Sequence, residues 1–503
     1  MKKLFNLNDG TMKKLFNPMS LWLALNLSVL LCLGGCSDDN DPIGGGGGTV
    51  GELVFYWKVE SDAGDPVLLL SDETYVLSYH AEGVESISLV DVPAGWQVTV
   101  DEEAGNVTVA APSSSVEADK NYTLQLVVAG ADNQSITTEG VNFYHVTFDE
   151  PEGAFVLNEG NMTTENGSLV YITPEGYVVD DAYKRVNGTE LGNVAQDMCF
   201  YDGKIYIISQ NGDTNAVGSS FENDGMLVVA DAVTLKKLRS FTNEELSQLD
   251  WPTHIAVIDE QHVYIRDNAG VWCLNMDDRS LSFVDGTENA PKARLATVNN
   301  EVYFPLSGSY MAYVKKIAPS TGQVSSVGTD AIFSASTMIN YILGIAPADD
   351  GNLWIIATSA SNPDREGMIT LNKLDLATSE LVQNRLTEQP DDAYNCCFAA
   401  YGNTVYYADG TLIYRAKFDA KEDGLVDEPL VDLADLDDNV GLLYNGLGVN
   451  PSTGHVYVNT LKGLGNFFTT NAVWEFDFDV SVDTPVHKFD NYTHFPAGVF
   501  FNR

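Results

Sequence analysis

Six stretches carry the pattern that decides the fold: MCFYDGKIYIIS (198–209), IAVIDEQHVYIRD (255–267), LATVNNEVYFPLS (295–307), IAPADDGNLWIIAT (345–358), FAAYGNTVYYAD (398–409) and GVNPSTGHVYVNT (448–460). Each runs from an apolar segment through a Gly, Asn or Asp turn into a strand with an aromatic at a fixed place: Tyr206, Tyr264, Tyr303, Trp354, Tyr406 and Tyr457. GAFVLNEG (153–160) supplies Phe155 at the matching place. The apolar period is two rather than 3.6, which excludes a helical solenoid. Successive aromatics are 51, 58, 39, 51, 52 and 51 residues apart. Repeats of that length are the size of β-propeller blades. Phe155 has no strand of its own before it, but HFPAGVFFNR (494–503) matches the apolar segments that lead the other repeats. The pattern therefore predicts a seven-bladed β-propeller over residues 151–503. Its first blade would be closed by the C-terminal strand, so that the ring keeps no open edge.

Upstream, residues 51–150 have a different texture. TYVLSYHA, SISLVDV, WQVTVD, NVTVAAP, YTLQLVVAG and VNFYHVTF alternate apolar and polar residues and are separated by turn residues. Short strands at such spacing predict a β-sandwich, and the whole chain reads as all-β. VPAGWQVTVDEEAGNVTVAAP (92–112) resembles immunoglobulin-like and PKD-like modules, which commonly act as spacers.

Residues 1–35 read as an export signal. Lys2, Lys3, Lys13 and Lys14 precede an apolar run, Leu21 to Leu33, too short to span a bilayer comfortably. Leu33-Gly34-Gly35-Cys36 resembles the lipobox of bacterial lipoproteins, which implies acylation at Cys36. An acidic cluster and five glycines (36–50) follow as a flexible tether, resembling the surface-export tether of Bacteroides-type lipoproteins. The resemblance implies an outer-membrane, lipid-anchored protein exposed on the extracellular face.

The chain carries a formal charge of −44, and loss of residues 1–35 would take it to −47. A chain this acidic is a poor partner for nucleic acid and is repelled by anionic headgroups, so the acyl anchor is the expected membrane contact. Cys199, Cys273, Cys396 and Cys397 lie in apolar runs without zinc spacing. Asp432, Asp435, Asp437 and Asp438 approximate a calcium loop, but the glycine is displaced and no terminal glutamate follows. No metal site and no resident cofactor are expected.

Enzyme signatures are missing: there is no G-x-S-x-G elbow, no H-E-x-x-H and no P-loop. No catalytic residue is assigned. In a propeller, the segments leading into the inner strands and the loops joining second to third strands open on one face. The candidates there are Asn158, Gln196, Trp251, His254, Arg294, Tyr341, Tyr394, Asn395, Tyr444, Asn445 and His494. Asp197 and Glu159 occupy positions of the same kind. Aromatics mixed with amides around few charges suit a large amphipathic ligand.

FVLNEGNMTTENGSLVYITPEG (155–176) and YKRVNGTELGNVAQDMCFYDGKIYIIS (183–209) are similar to the propeller start of a Bacteroidetes family of YncE-like surface lipoproteins, the DUF5074 group. Some relatives of that kind are surface cobalamin-binding propellers that cap a TonB-dependent transporter. The resemblance implies capture of a cobalamin-like solute and hand-over to such a transporter by a protein monomeric on its own. A protein-interaction or glycan-adhesion scaffold is the alternative. A propeller enzyme of the lyase or quinoprotein kind would need a constellation around His254, Arg294 and His494.

Overall fold

The computed structural model describes residues 52–58, 65–307, 311–328, 333–334, 341–358, 369–386, 398–419 and 424–502. The signal, the tether, Cys36, Tyr394 and Asn395 lie outside the described residues, as do Cys396 and Cys397. The protein is all-β, with a propeller-like arrangement from Ala154 onward.

Among the described residues of that part, seven antiparallel sheets follow one another. In the second, Asn193–Tyr201 pairs with Lys204–Gly212, then Leu227–Asp231, then Lys237–Phe241. The third to seventh sheets repeat this order and open on His254–Asp259, Ala296–Val298, Tyr341–Pro347, Phe398–Tyr401 and Leu442–Val449. The first sheet is assembled from distant parts of the chain. Ala154–Asn158, Ser168–Ile172 and Val178–Val179 come in sequence, and Pro496–Phe500 takes the leading place, with Val499 opposite Val156 and Phe500 opposite Phe155.

The hairpins follow from their turn residues. Asp202–Gly203 (φ 47° and 69°) and Asn299–Asn300 (51° and 61°) both have positive φ, which matches the right-handed twist of flanking strands. The second strand of each sheet lies between two neighbouring sheets and is apolar on both faces. Leu353–Thr358 and Val456–Leu461 are buried at all their positions, which explains their nearly continuous apolar runs. All seven repeat aromatics sit on these strands, and none is more than 5% exposed.

Apolar cores fill the spaces between consecutive sheets. One core joins the second and third sheets through Tyr206 and Val263, and others join the third to the fourth through Tyr264 and Phe304 and the fourth to the fifth through Tyr303 and Ile355. The fifth and sixth share Trp354 and Tyr407, and the sixth and seventh share Tyr406 and Trp474. The seventh meets the first through Tyr457, Val156 and Val499. The first meets the second through Phe155 and Ile207. The packing is thus cyclic.

The N-terminal part holds three small sheets around its own core of Leu77, Val107, Leu124, Val128 and Phe143. Trp96 is buried there and donates from Nε1 to Asp119 O at 2.8 Å. Its final strand, Val141–Val146, enters a core shared with the first two propeller-like sheets. Phe148 lies edge-on to Tyr171, with centroids 5.1 Å apart. Arg185 reaches back to Glu73 Oε2 at 2.6 Å and to Leu68 O at 2.7 Å. Residues 51–503 accordingly form one compact unit. The change of texture near Pro151 falls within a shared core and not at a free linker.

Candidate functional site

The leading strands begin in strained backbone. Val194 (φ 58°), Trp251 (55°), Asn445 (42°) and Phe495 (54°) are non-glycine residues in left-handed conformation, each at or just before a leading strand. Such residues cost free energy, most for a β-branched valine, and persist where the surroundings over-determine them. Here they turn the segments that bring polar side chains together.

The buried centre of that assembly is Asp197, 3% exposed, on the second sheet. His254 Nδ1 from the third sheet lies 3.4 Å from its Oδ2, and Arg294 Nε from the lead-in to the fourth lies 3.4 Å from its Oδ1. The Ile255 N–H donates to Oδ2 at 3.1 Å. Burial pushes the Asp197 carboxyl up, but Arg294, His254 and the Ile255 N–H together outweigh it, and the net shift is downward. For His254, burial prevails over Asp197 and holds the imidazole below its ordinary range.

Next to this centre, Lys292 Nζ donates to Gln196 Oε1 at 3.0 Å. Asn445 Nδ2 donates to Glu159 Oε1 at 3.3 Å. Burial raises the Glu159 carboxyl, while Lys292 and hydrogen bonds from Gln196, Tyr444 and Asn445 oppose the shift. The Tyr444 hydroxyl is pushed up to about 12 by burial and by Glu159. Its ring stands edge-on to Phe495 at 5.5 Å, and Phe495 stacks on Phe468 at 4.5 Å.

The structure therefore brings together Gln196, His254, Arg294, Tyr444 and Asn445. Asn158 and His494 form an adjoining group. The Asn158 amide donates to Ser168 Oγ at 3.1 Å and its carbonyl oxygen accepts from the His494 N–H at 3.2 Å. His494 Nδ1 pairs with Glu165 Oε2 at 3.1 Å, so it has partners different from those of His254 and Arg294. Tyr341 heads the leading strand of the fifth sheet and is half-buried. Trp251 is half-exposed.

No sequence signal distinguishes Lys292, and Asp197 and Glu159 are legible by position only. Position in the fold discriminates better than residue type here, because 71 residues of this chain are acidic. The acidic segment 432–438 has other work. Asp432 accepts from Ala434 N at 3.0 Å and from Thr411 Oγ1 at 2.6 Å, while Asp437 accepts from Lys488 Nζ at 2.6 Å. The cluster around Asp197 contains two cations, two carboxylates, an imidazole, amides and a phenol. None of these is an activated hydroxyl or thiol nucleophile, and the set is suited to holding a polar edge of a ligand beside an aromatic one.

The model of a family described as a domain of unknown function (DUF5074) matches residues 152–502. No curated protein matches the chain. Among solved structures, an auxiliary nutrient binding protein from Bacteroides thetaiotaomicron is similar at 11% identity, with 79% of this chain and 96% of that chain covered and a TM-score of 0.34. Apo AztD from Citrobacter koseri is similar at 11% identity over 68% of this chain and 93% of that chain, with a TM-score of 0.32. A lignostilbene dioxygenase from Pseudomonas brassicacearum is similar at 10% identity over 70% and 92%, with a TM-score of 0.39. Likenesses of this size carry no functional argument.

Proposed function

This chain belongs to the DUF5074 family, and from that premise we propose that it is a surface ligand-binding lipoprotein. In this reading residues 151–503 are a seven-bladed propeller closed by the C-terminal strand, and residues 51–150 are an immunoglobulin-like or PKD-like module. Cys36 carries the acyl anchor on the outer membrane. The propeller captures a large amphipathic solute, without turnover, for a TonB-dependent transporter, and a corrinoid of the cobalamin type is the first ligand to test.

The observation that carries the reading is the convergence of Glu159, Asp197, His254, Arg294 and Tyr444 from five sheets beside the stacked Phe468 and Phe495. Polar groups already held by one another, next to a flat apolar face, are pre-organised for binding. Calorimetry of the full chain with cobalamin, haem and a glycan panel tests it. Tyr394→Ala combined with Tyr444→Ala should cost about 2–4 kcal/mol of affinity, the scale of an aromatic hot spot. Absence of binding to the whole panel would reject capture, and binding untouched by the double variant would move the site. Digestion by proteinase on intact cells tests exposure, and full protection would contradict it.

A second reading has one specific observation behind it. Leu464 and Phe467, in the loop after Val456–Leu461, are each 59% exposed. Apolar side chains presented this way suit a protein or glycan partner. Pull-down with purified polysaccharides and loss of binding in Phe467→Ser would favour the scaffold.

A further inference from the structure

The surroundings of Arg294 make room for it. The residue leaves the chain just before the leading strand of the fourth sheet, yet its Nη2 donates to Ala497 O, on the closing strand of the first sheet, at 3.4 Å. Its guanidinium carbon lies 4.6 Å from the Phe500 ring centroid. The first and fourth sheets are three steps apart in the cyclic packing, so this side chain reaches across the middle of the ring. A Cβ at Gly498 would come within 2.2 Å of Nη2. Gly498 is not in a left-handed conformation. Its backbone therefore asks for nothing that alanine lacks, and the missing side chain serves the approaching guanidinium.

What holds Arg294 does not use it up. Asp197 is near its Nε edge at 3.4 Å and is also served by the Ile255 N–H. Among the described residues Nη1 has no partner, and the side chain is 44% exposed. Two residues earlier, the exposed Lys292 rests its ammonium on the Gln196 amide oxygen, which cannot neutralise it. Two cations thus stand together here, with the buried Asp197 carboxylate within ion-pair range of Arg294 and an amide oxygen as the hydrogen-bond partner of Lys292. The placement is pointed in a chain of net charge −44 with only 27 Lys and Arg.

We propose that Arg294, with Lys292 beside it, is an anion-recognition site, and that the captured ligand carries a carboxylate or phosphate group which it engages there. A planar guanidinium with free donors matches either group, and the ammonium adds a point charge. The inference rests on the capture reading only for the rest of the ligand.

Calorimetric titration of the full chain with sodium phosphate and with sodium acetate, against sodium chloride at equal ionic strength, tests it. Wild-type protein should bind at least one of the two with saturable heat, and the tighter one names the ligand's group. Arg294→Met should weaken that binding by about tenfold. Gly498→Ala keeps the charge but displaces the guanidinium, and should weaken it by roughly threefold. Heats equal to chloride in both arms, or wild-type anion binding in folded Arg294→Met and Gly498→Ala, would overturn the site. Should Arg294→Met fail to fold, Gly498→Ala and Arg294→Lys decide the matter alone. A corrinoid titration separates the two readings. Corrinoid binding undiminished in Arg294→Met rejects the anion site and leaves capture standing. Arg294-dependent anion binding without corrinoid binding supports the site and rejects the corrinoid.

Discussion

Removal of Pro496–Arg503 should abolish cooperative folding of the propeller-like part. The segment supplies the leading strand of the first sheet and pairs with Ala154–Asn158. Val499 and Phe500 are 5% and 9% exposed, and burying such side chains contributes about 1.5–3 kcal/mol each. Ala497, at 7% exposed, adds roughly 1 kcal/mol on the same scale. The lost ladder hydrogen bonds to Ala154–Asn158 contribute about 1 kcal/mol each. The total is on the order of 5–10 kcal/mol, comparable with the entire stability of an ordinary domain. Truncation also uncovers Val156 and Leu157, both fully buried, and leaves the edge of Ala154–Asn158 unpaired. Thermal unfolding followed by circular dichroism, with size-exclusion chromatography of the same sample, reads both effects. The expected outcome is a broadened, lowered transition and soluble aggregate. A truncated chain that stays monomeric and melts at the wild-type temperature would refute the reasoning, because the first sheet would then not depend on its distant strand. Val499→Asp is the milder version and should act in the same direction.

Three further outcomes are expected. The Glu165 carboxylate paired with it raises the His494 pKa above its ordinary value, so the stabilisation is fully present below about 6.5 and is lost as pH climbs through the raised value. Proton NMR should show that shift, and Glu165→Gln should abolish it; titration at or below the ordinary value in wild-type protein would contradict the pairing. Tyr206→Phe should be neutral or slightly stabilising, because among the described residues the buried Tyr206 hydroxyl has no hydrogen-bond partner. Tyr457→Phe should cost about 1 kcal/mol, since that hydroxyl interacts with the buried Glu475 carboxylate; equal denaturation midpoints for the two variants would reject the distinction. Lys120→Met should destabilise the chain by about 1–3 kcal/mol, less than for a fully buried pair because Lys120 is 37% exposed while Glu150 is 9% exposed. The Lys120→Met, Glu150→Gln double variant should regain most of that loss in chemical denaturation, and no recovery would show that Lys120 acts otherwise.

Much of this protein was legible along the chain. The turn residues Asp202–Gly203 and Asn299–Asn300 announce hairpins, and the aromatics from Phe155 to Tyr457 mark the strand buried between neighbours in every sheet. Even the displaced strand at Pro496–Phe500 was readable, because it repeats the apolar pattern of the other leading strands while the first repeat lacks one. The site was legible by position and not by chemistry. Topology pointed to Gln196, His254, Arg294 and Tyr444, but nothing beside Asp197 or Glu159 distinguishes them among 71 acidic residues. His254 and His494 look equivalent as sequence and have separate partners in space.

Strand, turn and repeat are decided by residues within a few positions of one another, since alternation and positive φ are local properties of the chain. The sequence by itself therefore determined the all-β class, the repeat period and the strand that returns to the first sheet. The tertiary structure alone decided which side chains meet. Arg294 and Ala497 are 203 positions apart, and Asn445 and Glu159 are 286 apart. Such pairs come together only because the sheets pack in a cycle, and their distances depend on every sheet between them. That is also why the packing of the N-terminal sheets onto the first two propeller-like sheets could not be read from the change of texture near Pro151. The Phe148–Tyr171 contact and the Lys120–Glu150 pair belong to surfaces that exist only after both parts have folded.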